Sequence, residues 1–385
     1  MKYWRGYITA AIFALATWGL MQFAEAHSSL ADMVYPYVTR LIQDFLAEWS
    51  SGVDFCLWQM LAVLLGVLFL ASIVIMIILR WNVFQWFGWV LACGCTLFFL
   101  HTGIYGLNQY CSSLAEDIRL TVQTGCTVTE LAEATTYFRD MANQLATQVE
   151  RDADGSVAEQ DFASIAELAG DGFETLTYEY HYAVFAGSTL PVKELGWADM
   201  YTAMGITGVT MPLTGEAAVN PNTPTVALPF TMCHEMSHRM CIAQERDANL
   251  AAYLACTANS DPLYQYSGYF MAFRYCYNAL ATVTTTTAVT ARQEIYAGIS
   301  DELMQDLTDY REYYRSVQDE QAVSVANSVN DTYIKVSGDD SGTNSYGEVT
   351  DLLVSWHIQN IWLPAHQEAD DEGFDPLDKN QVDLG

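Results

Sequence analysis

Three stretches of the chain are apolar for about the 20 residues that cross a hydrocarbon core: Tyr7 to Ala26, Phe55 to Leu79, and Phe84 to Tyr105. The second carries no charge at all between Leu61 and Leu79. Beyond residue 105 the pattern changes. Residues 112–185 read as mostly helical, with Leu131, Phe138, Met141, Leu145 and Val149 at helical spacing between Thr129 and Arg151. Asp152 to Gly155 is a turn signal. Residues 204–230 are rich in Thr, Val, Gly and Pro, with Gly215, Pro221 and Pro224 as punctuation, and predict short strands and loops. Helical patterning returns over 230–258, 262–282, 300–329 and 348–361. A Gly/Asp/Ser/Asn loop is expected at 337–347, and the acidic tail from Glu368 reads as disordered. No internal repeat is visible.

These elements predict a membrane-anchored α+β protein in three parts. Residues 1–110 form an anchor of three transmembrane helices, with 27–54 as the loop between the first two. Residues 111–367 form a mainly helical domain, with a small sheet from 204–228 beside the helix that follows it. Residues 368–385 are the tail. The first apolar stretch has a second reading. Lys2 and Arg5, the apolar run and Ala24-Glu25-Ala26 together also have the form of a cleavable signal peptide.

Charge adds sidedness and excludes one partner class. The chain has 16 Lys and Arg against 46 Asp and Glu, a net charge of −30. Such a chain repels phosphate backbones, so nucleic acid is not an expected partner. Lys2, Arg5 and Arg80 fall on one side of the three spans. The 27–54 loop, with Arg40 against Asp32, Asp44, Glu48 and Asp54, falls on the other. The positive-inside rule then puts the N-terminus in the cytoplasm and everything after Tyr105 outside the cytoplasmic membrane. The nine cysteines include Cys56, Cys93 and Cys95 within apolar runs, and Cys111 and Cys126, which could pair across a short segment. Cys233 and Cys241 have no C-x-x-C partner, which points away from a thiolate metal site.

The chemistry concentrates in Cys233-His234-Glu235-Met236-Ser237-His238. Residues four apart share a helix face, so His234 and His238 present two imidazoles to one point, as two ligands of a tetrahedral Zn2+. Glu235 stands beside them. Zinc lowers the pKa of a bound water to about 7, and a neighbouring carboxylate can take its proton as general base. Pro229 precedes the helix, and Phe230, Met236, Met240 and Leu250 supply its apolar faces.

A third ligand is needed. At about 100° per residue Glu245 lies about 20° from His234 around the axis, against about 140° for Asp247. In one straight helix, however, Glu245 would stand roughly 10 Å beyond His238. Glu245 therefore requires the chain to turn between Met240 and Ala243, and Asn249 could then orient a ligating imidazole. One unbroken amphipathic helix with Glu245, Arg246 and Asp247 solvated is the competing reading. His181 sits in an aromatic run as a packing residue, and His357 and His366 read as surface residues. Tyr266 and Tyr269 are candidates for oxyanion stabilisation, and Glu216 and Asn220 for lining a substrate cleft. Core tyrosines and turn chemistry are the bland alternatives.

Longer strings carry a resemblance. Pro212 to Asn220, Leu228 to His238 and Glu245 to Cys256 resemble a bacterial family catalogued as domain of unknown function 3810 and regarded as zinc metallopeptidases. So do Val34 to Tyr37, Tyr105 to Asn108, Tyr266 to Tyr269, Val329 to Tyr333 and Ser345 to Gly347. The resemblance runs from the first span to about Trp356. It implies a retained first span, zinc on His234 and His238, and Glu235 as base. The chain is also similar to the gluzincins, whose third ligand is a Glu on a following helix with an acidic or amide residue four positions later. Glu245 and Asn249 occupy those places. The chain departs from its family at Cys241, where a Gly tends to stand and would ease a helix break.

The function these features imply is a zinc metallopeptidase acting on peptides or proteins outside the membrane. Arg239, Glu245, Arg246 and Asp247 make the helix too charged for an intramembrane enzyme. The alternatives are an envelope sensor or scaffold with a structural or degenerate metal site, and a hydrolase of a non-peptide amide or ester such as a wall component. A free edge strand beside the zinc helix would bind extended substrate by strand addition.

Overall fold

The computed structural model describes residues 2–123, 125–336 and 345–365. Residues 337–344 of the expected loop, His366 and the tail from Glu368 lie outside them. The chain begins with α1 (Arg5–Ala26), α2 (Ser28–Ser50), α3 (Leu57–Ile78) and α4 (Val83–Ile104). Of these, α1, α3 and α4 are long and apolar enough to cross a membrane. The first and third lie side by side at a glycine crossing. A Cβ on Gly6 would stand 2.4 Å from the Gly88 carbonyl carbon, so the backbones meet directly.

The expected 27–54 loop is instead mostly helix, α2. Its apolar residues recur about every four positions, a helical period that counting charges overlooks. Pro36 sits inside it.

The remaining elements are α5 (Leu114–Asp117), α6 (Val128–Ala146), α7 (Phe162–Leu168), α8 (Asp171–Tyr178), β1 (Lys193–Glu194), α9 (Ala198–Ala203), β2 (Gly208–Met211), β3 (Glu216–Val219), α10 (Leu228–Arg239), α11 (Glu245–Ala258), α12 (Pro262–Thr282), α13 (Thr286–Ala297), α14 (Asp301–Val317), α15 (Glu320–Val336) and α16 (Ser345–His357). Several differ from the sequence expectation. The segment 230–258 is two helices. The segment 300–329 is also two, separated at Gln318 and Asp319. The last helix starts at Ser345, inside the expected loop. Helix α6 starts from a capping box of Thr127 and Glu130 but ends at Ala146. Arg151 then pairs with Val157 across the 152–155 turn. Cys111 and Cys126 are free thiols.

The sheet has the order β1-β3-β2, with β3 parallel to β1 and antiparallel to β2. Strand β1 left too short an alternation to be read in advance. The core gathers α6, α11, α12 and α16 around Phe138, Tyr253 and Phe270. Helix α10 lies between this core and the sheet, touching α11 and α12 as well as β2 and β3. Of its 12 residues only His234 keeps appreciable access to solvent. His357, expected at the surface, is buried against Tyr137 and Phe138, because α16 turns its last helical residue into the core.

The domain is fastened to α3 by a buried charge. Glu216 on β3 accepts hydrogen bonds from the backbone N–H groups of Leu57 (2.7 Å) and Trp58 (2.8 Å) in the first turn of α3. Those donors have no partner inside the helix, and the N-terminal helix dipole favours a carboxylate there. Lys193 on β1 completes the arrangement with a 2.8 Å ion pair to Glu216.

Candidate metal centre

Pro229 in the first turn of α10 pre-sets a helical φ where no intrahelical N–H bond is lost. The helix carries His234 and His238 on one face. It ends in a Schellman arrangement: Cys241 N–H donates to His238 O, and Ile242 N–H donates to Ser237 O. This motif places its C′ residue in the left-handed region, and Cys241 does so at φ 69°. A non-glycine residue there costs about 1–2 kcal/mol. The thiol is buried and hydrogen-bonded with Thr39 of α2 and with Asn108, which joins the cost of the turn to a contact with the helix beside the spans.

The turn redirects the chain so that α11 starts at Glu245 with its carboxylate beside both imidazoles. Glu245 Oε2 lies 3.4 Å from His234 Nε2, and Oε1 lies 3.6 Å from His238 Nε2. The two Nε2 atoms are 3.2 Å apart. Ligands about 2.05 Å from a tetrahedral zinc stand about 3.3 Å from one another, so the three atoms already have the spacing of one face of such a site.

The tautomer of His238 is fixed by chemistry. Its Nδ1 lies 2.8 Å from the Ile242 carbonyl oxygen, which can only accept, so Nδ1 keeps a proton and Nε2 is the nitrogen that a metal would take in place of a proton. Burial alone would depress the His238 imidazole, but Glu245 overrides it and lifts the pKa to about 9. Burial opposes ionisation of Glu245, yet His238 and His234 hold its carboxyl well below the usual range. The centre therefore calls for positive charge. One carboxylate and two imidazoles fit Zn2+ and leave a fourth position open.

Glu235 stands apart from the three donors. Its carboxylate accepts from the Thr210 hydroxyl at 2.8 Å, and the same hydroxyl donates to the Glu235 carbonyl at 2.8 Å. Burial pushes the Glu235 carboxyl up, against the pull of His234, His238 and Thr210. Gly208, on the same strand, makes room for it: a Cβ there would lie 2.4 Å from Glu235 Oε1 and 2.6 Å from Cγ. Gly208 and Thr210 were not singled out in the sequence. Only the alternation of β2 could have pointed to them, because Glu235 is reached across space.

The structure gives the other candidates different work. Asn249 does not orient an imidazole. Its amide donates to the Glu245 carbonyl and its oxygen accepts from the Tyr275 hydroxyl, while His234 Nδ1 is buried without a hydrogen-bond partner. Glu216 lines no cleft; it holds α3. Asn220 is buried, donating to Ala198 O, Thr202 Oγ1 and Ile206 O, and fastens the end of the sheet. Tyr266 is buried and donates to Asp306, which Arg151 grips with two guanidinium nitrogens. The Tyr269 hydroxyl meets that of Tyr137. Both tyrosines belong to the core packing of α12.

A helical domain carrying two histidines, a converging glutamate and a separate buried carboxylate, on three apolar helices, is the class the fold defines. The family model described as protein of unknown function (DUF3810) matches residues 31–354, and the chain belongs to that family. No curated protein and no solved structure matches it.

Proposed function

We propose that the protein is a membrane-anchored, zinc-dependent peptidase of gluzincin-like, zincin-type architecture. Its helical domain, residues 111–367, would face the outer side of the cytoplasmic membrane, as the few basic residues near the spans suggest. The observation that carries the reading is the convergence of His234, His238 and Glu245 within the spacing of one tetrahedral face, with the Glu235 carboxylate outside that trio.

Zinc bound there would supply a Lewis acid that polarises the scissile carbonyl and acidifies water. The protein's own groups do the rest. Glu235 accepts a proton, and its raised pKa suits a group that must take one and give it up again. Thr210 fixes the carboxylate. Strand β2 is an edge. The Asn220 N–H bond to Thr207 O sets the register, so Val209 and Met211 pair their backbones with β3, while those of Gly208 and Thr210 face away from it. An extended peptide could add to that side.

The test is zinc content and peptide-library hydrolysis by the full chain, wild type against Glu235→Gln. Zinc in both with cleavage only by wild type is expected. If neither holds zinc, the reading fails. Zinc in both with cleavage by neither would favour a non-catalytic envelope role. Casein and peptidoglycan as parallel substrates separate a peptidase from a wall hydrolase.

A further inference from the structure

Helix α2 is inside out for a helix bathed in water. Leu30, Met33, Tyr37, Leu41, Phe45 and Trp49 run along one face, and each is 50–70 % exposed. Its charged residues turn the other way. Asp32 accepts from the backbone N–H and hydroxyl of Ser112, Asp44 accepts from Ser188 N–H, and Arg40 donates to the carbonyls of Ala183 and Met240. Glu48 is the one charged residue of α2 that points outward. Exposed apolar side chains are ordinary one at a time; a continuous row of six over a 23-residue helix marks a surface that something covers.

The chain itself says what covers it. Only His27 separates α2 from α1, and six residues separate it from α3. Both neighbours are apolar enough to span a bilayer; α2 is not. A helix of 23 residues, about 34 Å long and tied at both ends to spans, runs along the membrane surface. We propose that the outward face of α2 lies in the water–lipid interface of the bilayer that α1, α3 and α4 cross. The row ends in Trp49 and includes Tyr37, residues that favour headgroup depth. This rests on the reading of those three helices as spans.

The opposite face of the same helix holds the metal centre's turn. Arg40 bonds Met240 O, Thr39 meets the Cys241 thiol, and Gln43 donates to Pro212 O. Gly215, at φ 67°, comes so close that a Cβ would lie 2.5 Å from the Ala47 amide nitrogen. Lipid on one side and the ligand-bearing turn on the other are thus one helix apart.

The experiment is site-directed spin labelling of the full chain in lipid nanodiscs, with the signal of the unsubstituted chain subtracted. Labels go at Leu41→Cys and Phe45→Cys on the row, Asp154→Cys on the exposed 152–155 turn, and Leu68→Cys within α3. Accessibility to oxygen relative to a water-soluble nickel chelate should be several-fold higher at 41 and 45 than at 154, and highest at 68. Equal ratios at 41, 45 and 154, with 68 in lipid, overturn the proposal. So does exclusion of both reagents from 41 and 45, which would mean that protein covers the row. If 68 is also open to the nickel reagent, the span reading is what has failed.

Discussion

Gly208→Ala places a methyl group where Glu235 now lies. The added Cβ would stand 2.4 Å from Oε1, whereas ordinary contact begins at 3.4 Å, so the pair must separate by about 1 Å. Neither partner yields easily. Strand β2 is paired with β3 along its length, and Glu235 is pinned by Thr210 on a helix buried on nearly every side. Overpacking of this kind costs about 1–3 kcal/mol of stability. A reacting group displaced by 1 Å can cost about 100-fold in rate. The collision involves Glu235 and not the three donor atoms, so metal binding should survive. Three measurements on one preparation decide it: zinc per chain, thermal midpoint, and hydrolysis of a cleaved peptide. The expected result is full zinc, a lowered midpoint and a rate down by about two orders of magnitude. Cobalt in place of zinc gives a check independent of substrate, because the pH dependence of its visible spectrum responds to the position of the neighbouring carboxylate. Full zinc with an unchanged rate and an unchanged cobalt titration would refute the claim that β2 positions Glu235.

Two further outcomes concern the scaffold. Burial lowers the His357 pKa from 6.5 to about 4. A depressed histidine contributes stability that is complete above pH 6.5 and is lost as the pH falls through about 4. The shift corresponds to at most about 3 kcal/mol, nearer 2 with solvent screening. His357→Phe should flatten the fall of the thermal midpoint between pH 6.5 and 4, and an unchanged slope would place that titration elsewhere. Glu216→Ala leaves two helix N–H groups without their acceptor and the Lys193 ammonium without its counter-charge, held only by the carbonyls of Ser50 and Phe55, at about 3 kcal/mol. Adding Lys193→Met should recover part of that loss in thermal unfolding. Simple additivity of the two changes would show that they do not act as a pair.

What the sequence disclosed follows the range of the interactions involved. The common face of His234 and His238 was legible because four-residue spacing is a property of one helix. Glu245 was selected by angle, and the same geometry demanded a break in the helix; the structure puts it at Cys241, with the left-handed φ that a glycine would have announced. The three helices long and apolar enough to cross a membrane declared themselves by length. Long-range partnerships stayed hidden. Nothing near Glu216 shows that its carboxylate caps α3, 159 residues earlier in sequence. Nothing near Gly208 shows a glutamate 27 residues on. Asn249 was matched to a role by position, but its hydrogen bonds go to its own helix and to Tyr275. Helix α2 reads as a loop when only its charges are weighed for sidedness; its apolar residues fall on one face of a helical wheel.

The Glu216 clamp sets the mechanical character of the whole molecule. From the first turn of α3 the path runs through the Glu216 carboxylate into β3, across the ladder to β2, and through Thr210 to Glu235. Every step is a hydrogen bond or a strand; no flexible linker interrupts it. A domain hung from its anchor on a loose tether sweeps a hemisphere and reaches targets at many heights. This one is keyed to its mast and moves only as the mast leans. On the proposed peptidase reading its reach would be a narrow band close to the surface from which it rises, and peptide bonds far above that band would lie beyond it however exposed they are.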